Sequence, residues 1–216
     1  VWFAQQAPVP PLAGTYTVIG PNLTAPGDLP ITSSANPLVI AGATTVDGNI
    51  TITAPSVRII DVVRTGTAGN SVTVNASTGD ITFAVNGKRS IVTDAGPISL
   101  TATNGSVVDV MPTNTSVAGG NLSIAAKSVD VKTNVSSVTS TTTAGPVILS
   151  AVNSLTLGAI QAAGQTVTLS AVSGITQTTG SITAASLAAT NGTGAIVLTA
   201  TTVSYTHLTL PTILLV

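Results

Sequence analysis

Apolar and small polar residues alternate along most of this chain. The stretch "GQTVTLSAVSGITQTTGSITA", residues 164–184, carries no charged or aromatic side chain, and Thr, Ser or Gln separate its apolar positions. A period of two residues places successive side chains on opposite faces of a β-strand. We therefore predict strands whose outward side chains are hydroxyls, here Thr166, Thr168 and Ser170. The side chains predicted to point inward are Val167, Leu169, Ala171, Ile175 and Ile182.

The alternating stretches recur as a unit of Gly, an aliphatic residue, a small polar residue, a second aliphatic residue and usually Ala. Such units begin at Gly48, Gly69, Gly96, Gly120, Gly145, Gly164, Gly180 and Gly194. When the units are aligned on the second aliphatic residue, successive positions lie 20 to 26 residues apart. The aligned residues are Ile52, Val74, Leu100, Ile124, Leu149 and Leu169. Self-similarity at a fixed period of this length is typical of repeat proteins.

A repeat of two or three short strands cannot bury its apolar face alone, whereas stacked repeats share one continuous core. We therefore predict an all-β fold, a parallel β-helix (β-solenoid) with about six or seven coils in residues 41–203. Helices are not expected, because no segment shows a 3.6-residue period and Gly, Thr, Val and Ile are poor helix formers. The alanines that close the units suit tight corners inside the stack: Ala54, Ala102, Ala151 and Ala171.

The composition explains how such a stack avoids repulsion between its coils. Only 6% of the 216 residues are charged, 38 are threonine, and the net charge is −1. Neighbouring coils lie about 4.8 Å apart, so equivalent outward side chains are nearly in contact. Stacked like charges would repel, whereas Thr, Ser and Asn can hydrogen-bond to their neighbours. We therefore expect neutral ladders of hydroxyl and amide side chains on the outer faces.

Two segments differ from the repeats. Residues 1–40 are rich in proline, which predicts an irregular segment or edge strands. Residues 204–216 form a tail without Gly; we predict that this tail is not native sequence, and the alternative is a final strand or a cap. Both ends are expected to lie inside a longer protein, with residues 1–7 either the remnant of a signal peptide or an arbitrary boundary.

The composition also argues against several classes of function. Six Lys and Arg against seven Asp provide no basic footprint for nucleic acid. No segment approaches the roughly 18 consecutive apolar residues of a membrane helix, so we predict a chain that does not span a membrane. The chain has no Cys, no Glu and a single His, His207. We therefore predict no catalytic residue, no cofactor-binding residue and no metal ligand, and conclude that the protein is not an enzyme.

The few charged residues are interpreted mainly as solvated turn residues. Lys88 and Arg89 follow an Asn-Gly turn and are a candidate weak contact for an acidic glycan, the alternative being an ordinary charged turn. The rival hypothesis, a carbohydrate-active β-helix enzyme of the polysaccharide lyase or hydrolase kind, requires several carboxylates in register along one groove. Six aspartates are spaced about one per coil or half coil, without a close pair: Asp47, Asp61, Asp80, Asp94, Asp109 and Asp130.

The repeated G-x-(I/V/L)-x-(L/I/V)-x-A units of residues 48–203 resemble the repeat regions of filamentous haemagglutinin-like adhesins, exoproteins of two-partner secretion. The resemblance covers about seven tenths of the chain and lacks the family's secretion-domain signature. It implies a right-handed β-helix, secreted or on the Gram-negative cell surface, that serves as a structural rod for reach and display in adhesion. It also implies an outer-membrane transporter during export and a host-cell or surface receptor, glycan or protein. A phage or surface-layer structural protein would share the fold.

Overall fold

The structure, a computed structural model, describes residues 16–20, 22–45, 47–84, 90–110, 117–177, 179–198, 203–204 and 207–209. Within these ranges every element is a β-strand and none is a helix, as predicted. The strands are β1 (Thr17–Ile19), β2 (Leu23–Ala25), β3 (Leu29–Thr32), β4 (Leu38–Ile40), β5 (Ala43–Thr45), β6 (Ile50–Ala54), β7 (Val57–Ile59), β8 (Val63–Thr65), β9 (Val72–Ala76), β10 (Ile81–Phe83), β11 (Ile91–Val92), β12 (Ile98–Ala102), β13 (Val107–Asp109), β14 (Val117–Ala126), β15 (Val129–Thr142), β16 (Val147–Ala151), β17 (Ser154–Ala171), β18 (Gly174–Gln177), β19 (Ile182–Asn191), β20 (Ile196–Leu198), β21 (Val203–Ser204) and β22 (His207–Thr209).

The described strands pair in parallel and stack in three series, which we call face one, face two and face three. Face one contains β1, β4, β7, β10, β13, β15, β16, β17 and β19 in that order. Face two begins with β2, β5, β8, β11 and β14. Face three contains β3, β6, β9, β12, β14, β15, β17 and β19. The long strands β14, β15, β17 and β19 continue around corners and therefore each belong to more than one face.

This arrangement confirms the predicted parallel β-solenoid. The described residues form about eight coils, and at about 4.8 Å per coil the stack is about 38 Å long. The proline-rich segment contributes β1, β2, β3 and β4, which pair with the strands of the following coil. In the tail, the backbone of β22 pairs in parallel with β19.

A column of aliphatic side chains fills the inside of the stack. In residues 164–184 the five side chains predicted to point inward are all buried, and the three predicted to point outward are not. The alanines that close the repeat units are buried too: Ala54, Ala102, Ala151 and Ala171. Each fully buried Val, Ile or Leu contributes about 1.5–3 kcal/mol before the conformational entropy of the chain is subtracted. The burial of alternate residues is therefore the main stabilising term of the fold.

At several repeat units the opening glycine lies at a corner where two coils touch through their backbones. A Cβ on Gly96 would collide with the carbonyl oxygen of Asn70, and a Cβ on Gly120 with that of Ala95. Gly48 is blocked in the same way by the backbone of the preceding coil. Only a residue without a side chain fits between the coils at these three corners, which explains the glycine that opens these three units.

Hydrogen bonds join the outward side chains of neighbouring coils. The hydroxyl of Ser170 donates to that of Ser150 at 2.9 Å, and the hydroxyl of Ser71 donates to the side-chain oxygen of Asn49 at 2.9 Å. Four further pairs are Ser128 with Ser106, Ser137 with Asn121, Asn153 with Asn134, and Ser186 with Thr166. The expected ladders of neutral polar side chains are therefore confirmed at these positions.

The sequence alignment assigned the second aliphatic residues of six repeat units to one stack, and this assignment is wrong for the last two units. The residues that do stack on face three are Ile52, Val74, Leu100 and Ile124. The next inward residue on that face is Ser140 rather than Leu149. Leu149 lies on face one, between Val131 and Leu169. Ser140 interrupts the apolar pattern, because a buried hydroxyl occupies the inward position there. The alignment of aliphatic residues therefore passed over Ser140 and took Leu149, which lies on another face.

Face two carries buried threonines at three inward positions, which the alternation of aliphatic residues does not predict. Thr45, Thr65 and Thr93 are at most 5% exposed. The Thr93 hydroxyl donates to the carbonyl oxygen of Gly96 at 2.6 Å, and that of Thr45 donates to the carbonyl of Gly27. Because a buried hydroxyl needs a partner, these bonds both satisfy the side chains and fasten the corner that leads into face three.

Two outward positions on face one are also exceptions to the alternation. Val39 and Arg58 are in register on β4 and β7, with side chains on the outer side of the strand. They are nevertheless only 6% and 9% exposed. The loss of solvent around Arg58 lowers the pKa of its guanidinium.

Candidate functional site

Three of the aspartates lie at three different corners of the solenoid. Asp28 and Asp80 each accept a backbone N–H of the next coil at 2.7 Å, from Asn49 and Ser106 respectively. Asp61 accepts the N–H of the next residue along the chain at 2.7 Å. These three carboxylates lie in turns, where they satisfy backbone donors. They do not form the single row of carboxylates that the rival enzyme hypothesis requires.

Asp109 and Asp130 are different, because they lie on adjacent coils of face one and line the same groove. Asp130 pairs in register with Val108, the residue before Asp109. The expectation that the chain has no close pair of aspartates is therefore wrong. Asp130 lies 21 residues after Asp109, which is about one coil, so a separation that is large in sequence becomes about a single strand spacing in the solenoid.

The groove has a volume of about 490 Å³ and crosses four successive coils. Its polar wall includes Lys132, Ser150 and Ser170, which are in register on β15, β16 and β17. Val172, which is 54% exposed, lies on its apolar side. A volume of this size falls in the range of ligand-binding clefts, about 300–1,000 Å³. We therefore take this groove, the face-one groove, as the candidate functional site.

The two carboxylates of the face-one groove influence each other. Partial loss of solvent and, secondly, the negative charge of Asp109 raise the pKa of the Asp130 carboxyl above its ordinary value. Both effects disfavour the ionised form. A carboxyl group with a raised pKa in a cleft is typical of functional sites, although structural networks produce it as well.

The raised pKa of the Asp130 carboxyl predicts how the stability of the fold depends on pH. Because the folded state holds the Asp130 proton more tightly than the unfolded state, stability is lost as the pH rises from the ordinary carboxyl range through the raised pKa. Replacing Asp130→Asn removes this loss. We expect the variant to melt about 1–2 °C higher than the wild type at pH 7.

The measurement is thermal unfolding followed by circular dichroism at several pH values between 3 and 7. The gain should shrink toward zero as the pH falls, because the wild-type carboxyl is then neutral. Asp94→Asn, which removes a carboxylate from a different corner, is the matched control and should not show the same gain. An Asp130→Asn variant that is no more stable than the wild type at pH 7 would contradict this account.

A smaller groove lies toward the N-terminal end of face two. It has a volume of about 380 Å³ and is lined by residues that include Asn22, Thr44, Asp61 and Arg64. One carboxylate and one guanidinium balance its charge. Its electrostatics therefore give less reason to expect a bound ligand than those of the face-one groove.

Three further expectations concern residues elsewhere. Lys88 and Arg89, the candidate glycan contact, lie outside the described residues, so this interpretation stays a prediction. Among the residues that the structure describes, no group of three His, Cys, Asp or Glu side chains is placed to hold a metal ion. In the same residues no helix is long and apolar enough to cross a membrane.

The strand pairing and the buried column together define the chain as a β-solenoid that carries an elongated groove on face one. No family model, no curated protein and no solved structure matches it. The function of the chain is therefore inferred from its fold and from the groove.

Proposed function

We propose that the chain is a non-catalytic rod segment of a larger bacterial adhesin, which serves reach and display in adhesion to cells or surfaces. The observation that carries the proposal is the aliphatic column, which extends through about eight coils. Each coil contacts only its neighbours, so such a stack can be extended by adding coils without changing the existing ones. Length is thus an adjustable property of this fold.

The outer surface supports the same role. Hydroxyl and amide ladders join the coils, as in the pair Ser170 and Ser150, and they add no charge repulsion along the rod. In this proposal the protein is secreted or exposed on the outside of a Gram-negative cell, having passed through an outer-membrane transporter. The resemblance of the repeat units to haemagglutinin-like adhesins supports this location and this export partner.

A rod must hold its two ends at a fixed separation, and this can be measured on the chain itself. The chain has no native Cys, so dyes can be attached at Thr32→Cys and Thr183→Cys. Both positions belong to one row of face three and are separated by seven strand spacings. We expect a single narrow distance near 34 Å, from about 4.8 Å per spacing, before the dye linkers are added.

Single-molecule energy transfer provides the distance distribution. It should stay narrow at urea concentrations below the unfolding transition and broaden only with global unfolding. Leu169→Asp in the same labelled background is the control, because a broken stack should broaden the distribution. A broad distribution in the unmodified stack would contradict the rod role.

A carbohydrate-active enzyme is the second candidate, because one pair of carboxylates, Asp109 and Asp130, lines a common groove. Glycoside hydrolysis uses such a pair, one of them with a raised pKa. New reducing ends released from polysaccharides by the chain, and not by an Asp130→Asn variant, would favour this candidate over the rod.

A further inference from the structure

The face-one groove is elongated along the axis of the solenoid. Its wall passes from Asp109 through Asp130 and Lys132 to Ser150 and Ser170, which lie on four successive coils. Three strand spacings of about 4.8 Å give a length of about 14 Å. A groove of this shape fits a linear molecule that lies parallel to the axis better than it fits a compact one.

The chemistry of the wall is that of a surface that hydrogen-bonds to hydroxyl groups. Ionised Asp109 and Asp130 only accept hydrogen bonds, Lys132 only donates them, and the hydroxyls of Ser150 and Ser170 do both. A chain of sugar hydroxyls offers donors and acceptors at short intervals and can satisfy all three kinds of group. Ala171 and the exposed Val172 add an aliphatic surface for the C–H faces of sugar rings.

The charge of the groove decides between classes of glycan. Two carboxylates and one ammonium give an excess of negative charge, which repels sulphated and uronic acid chains. The residues described around the groove include no second cation to reverse this balance. A glycan without charge meets no such repulsion, and its hydroxyls can donate to carboxylates that already repel each other. That repulsion is the second cause, after the loss of solvent, of the raised pKa of Asp130.

We infer that the face-one groove is a binding site for a neutral linear oligosaccharide, whose hydroxyls donate to Asp109 and Asp130 and contact Lys132 and the serine pair. This inference rests on the proposed adhesive role and gives it a receptor class. It also differs from the expectation for Lys88 and Arg89, which would select an acidic glycan. The site belongs to the rod itself, so a single segment would both extend and bind.

The test is a titration of the isotope-labelled chain with three neutral trisaccharides, maltotriose, cellotriose and N,N′,N″-triacetylchitotriose, followed by two-dimensional NMR. We expect at least one of them to cause saturable shifts at the amides of residues 130–132, 150–152 and 170–172. A heparin-derived sulphated oligosaccharide of similar length should bind more weakly. In the double variant Asp109→Asn and Asp130→Asn the affinity should fall about tenfold or more, since hydrogen bonds to charged groups are the strongest in such a site.

Ser99→Ala, an outward substitution on face three, is the matched control and should leave the affinity unchanged. The melting temperature of each variant shows whether its stack is intact. The inference is overturned if none of the three sugars causes saturable shifts in this groove, if the sulphated oligosaccharide binds more tightly, or if the double variant binds as well as the wild type while it remains folded. The energy-transfer measurement between residues 32 and 183 does not depend on this groove, so a failure of the glycan site leaves the rod role to be judged separately.

Discussion

Replacing Leu169→Asp is expected to destabilise the solenoid by at least about 4 kcal/mol, because it places a charge in an apolar column without a partner. Leu169 is fully buried and is paired in register with Leu149 on one side and with Ala189 on the other. Three coils therefore lose packing at once. Because each coil is held only by its neighbours, the loss should be concentrated around the substitution before the whole stack unfolds.

Thr168→Asp is the matched control, since it introduces the same charge one residue away on the outward side of the same strand. We expect it to change the stability by no more than about 1 kcal/mol. Urea unfolding measures the total loss, and hydrogen exchange at the amides of residues 149 and 189 measures its local part. Similar unfolding midpoints for the two variants would show that the inward and outward positions have been assigned wrongly.

Replacing Gly96→Ala is expected to cost about 3 kcal/mol, although the new side chain is a single methyl group. The Cβ would collide with the carbonyl oxygen of Asn70, which belongs to the backbone of the preceding coil. A side chain can rotate away from such a contact, but this backbone carries the strand pairing between β9 and β12. The two coils must therefore separate at the corner, and their ladder weakens.

Gly27→Ala separates this effect from the ordinary consequences of replacing glycine. A Cβ at Gly27 has no heavy atom within 4 Å, so the control should stay within about 0.5 kcal/mol of the wild type. Urea unfolding of both variants is the measurement, with the slope of the transition used to check that the folded states are equally compact. Equal unfolding midpoints for Gly96→Ala and the wild type would show that the corner has room for a side chain.

The fold was predictable from the sequence because the stacking of coils imposes a pattern on the sequence. Inward positions must be apolar and outward positions must not repel their copies in the next coil, and residues 164–184 satisfy both conditions apart from Gln177, a buried polar residue in β18. In this stretch the alternation identified the buried aliphatic residues correctly, and the scarcity of charge predicted the ladders. The glycines were visible as the first residue of each unit, although the close approach of two backbones at Gly48, Gly96 and Gly120 became apparent only in the structure.

The face-one groove was not predictable, because the sequence does not state how long each coil is. Stacked polar residues on neighbouring coils are separated by 16 residues at Asn121 and Ser137 but by 26 residues at Asp80 and Ser106. Corner segments absorb these differences, so the face on which a residue lies cannot be counted from its position. For the same reason Asp109 and Asp130 were not recognised as neighbours, and Leu149 was assigned to the wrong face.

Disulfide cross-linking tests whether the chain forms a parallel solenoid whose coils are in register on three faces. Ser123 on face three is paired with Thr139, whereas the alignment of repeat units would place it beside Ile148. Paired strands bring two Cα atoms to about 4.8 Å, which suits a disulfide, and positions more than about 7 Å apart cannot be bridged. With Ser123→Cys present, a second cysteine at Thr139→Cys should form an intramolecular disulfide rapidly under mild oxidation, and a second cysteine at Ile148→Cys should not. The reverse result, or equal rates for the two pairs, would contradict the arrangement of the faces.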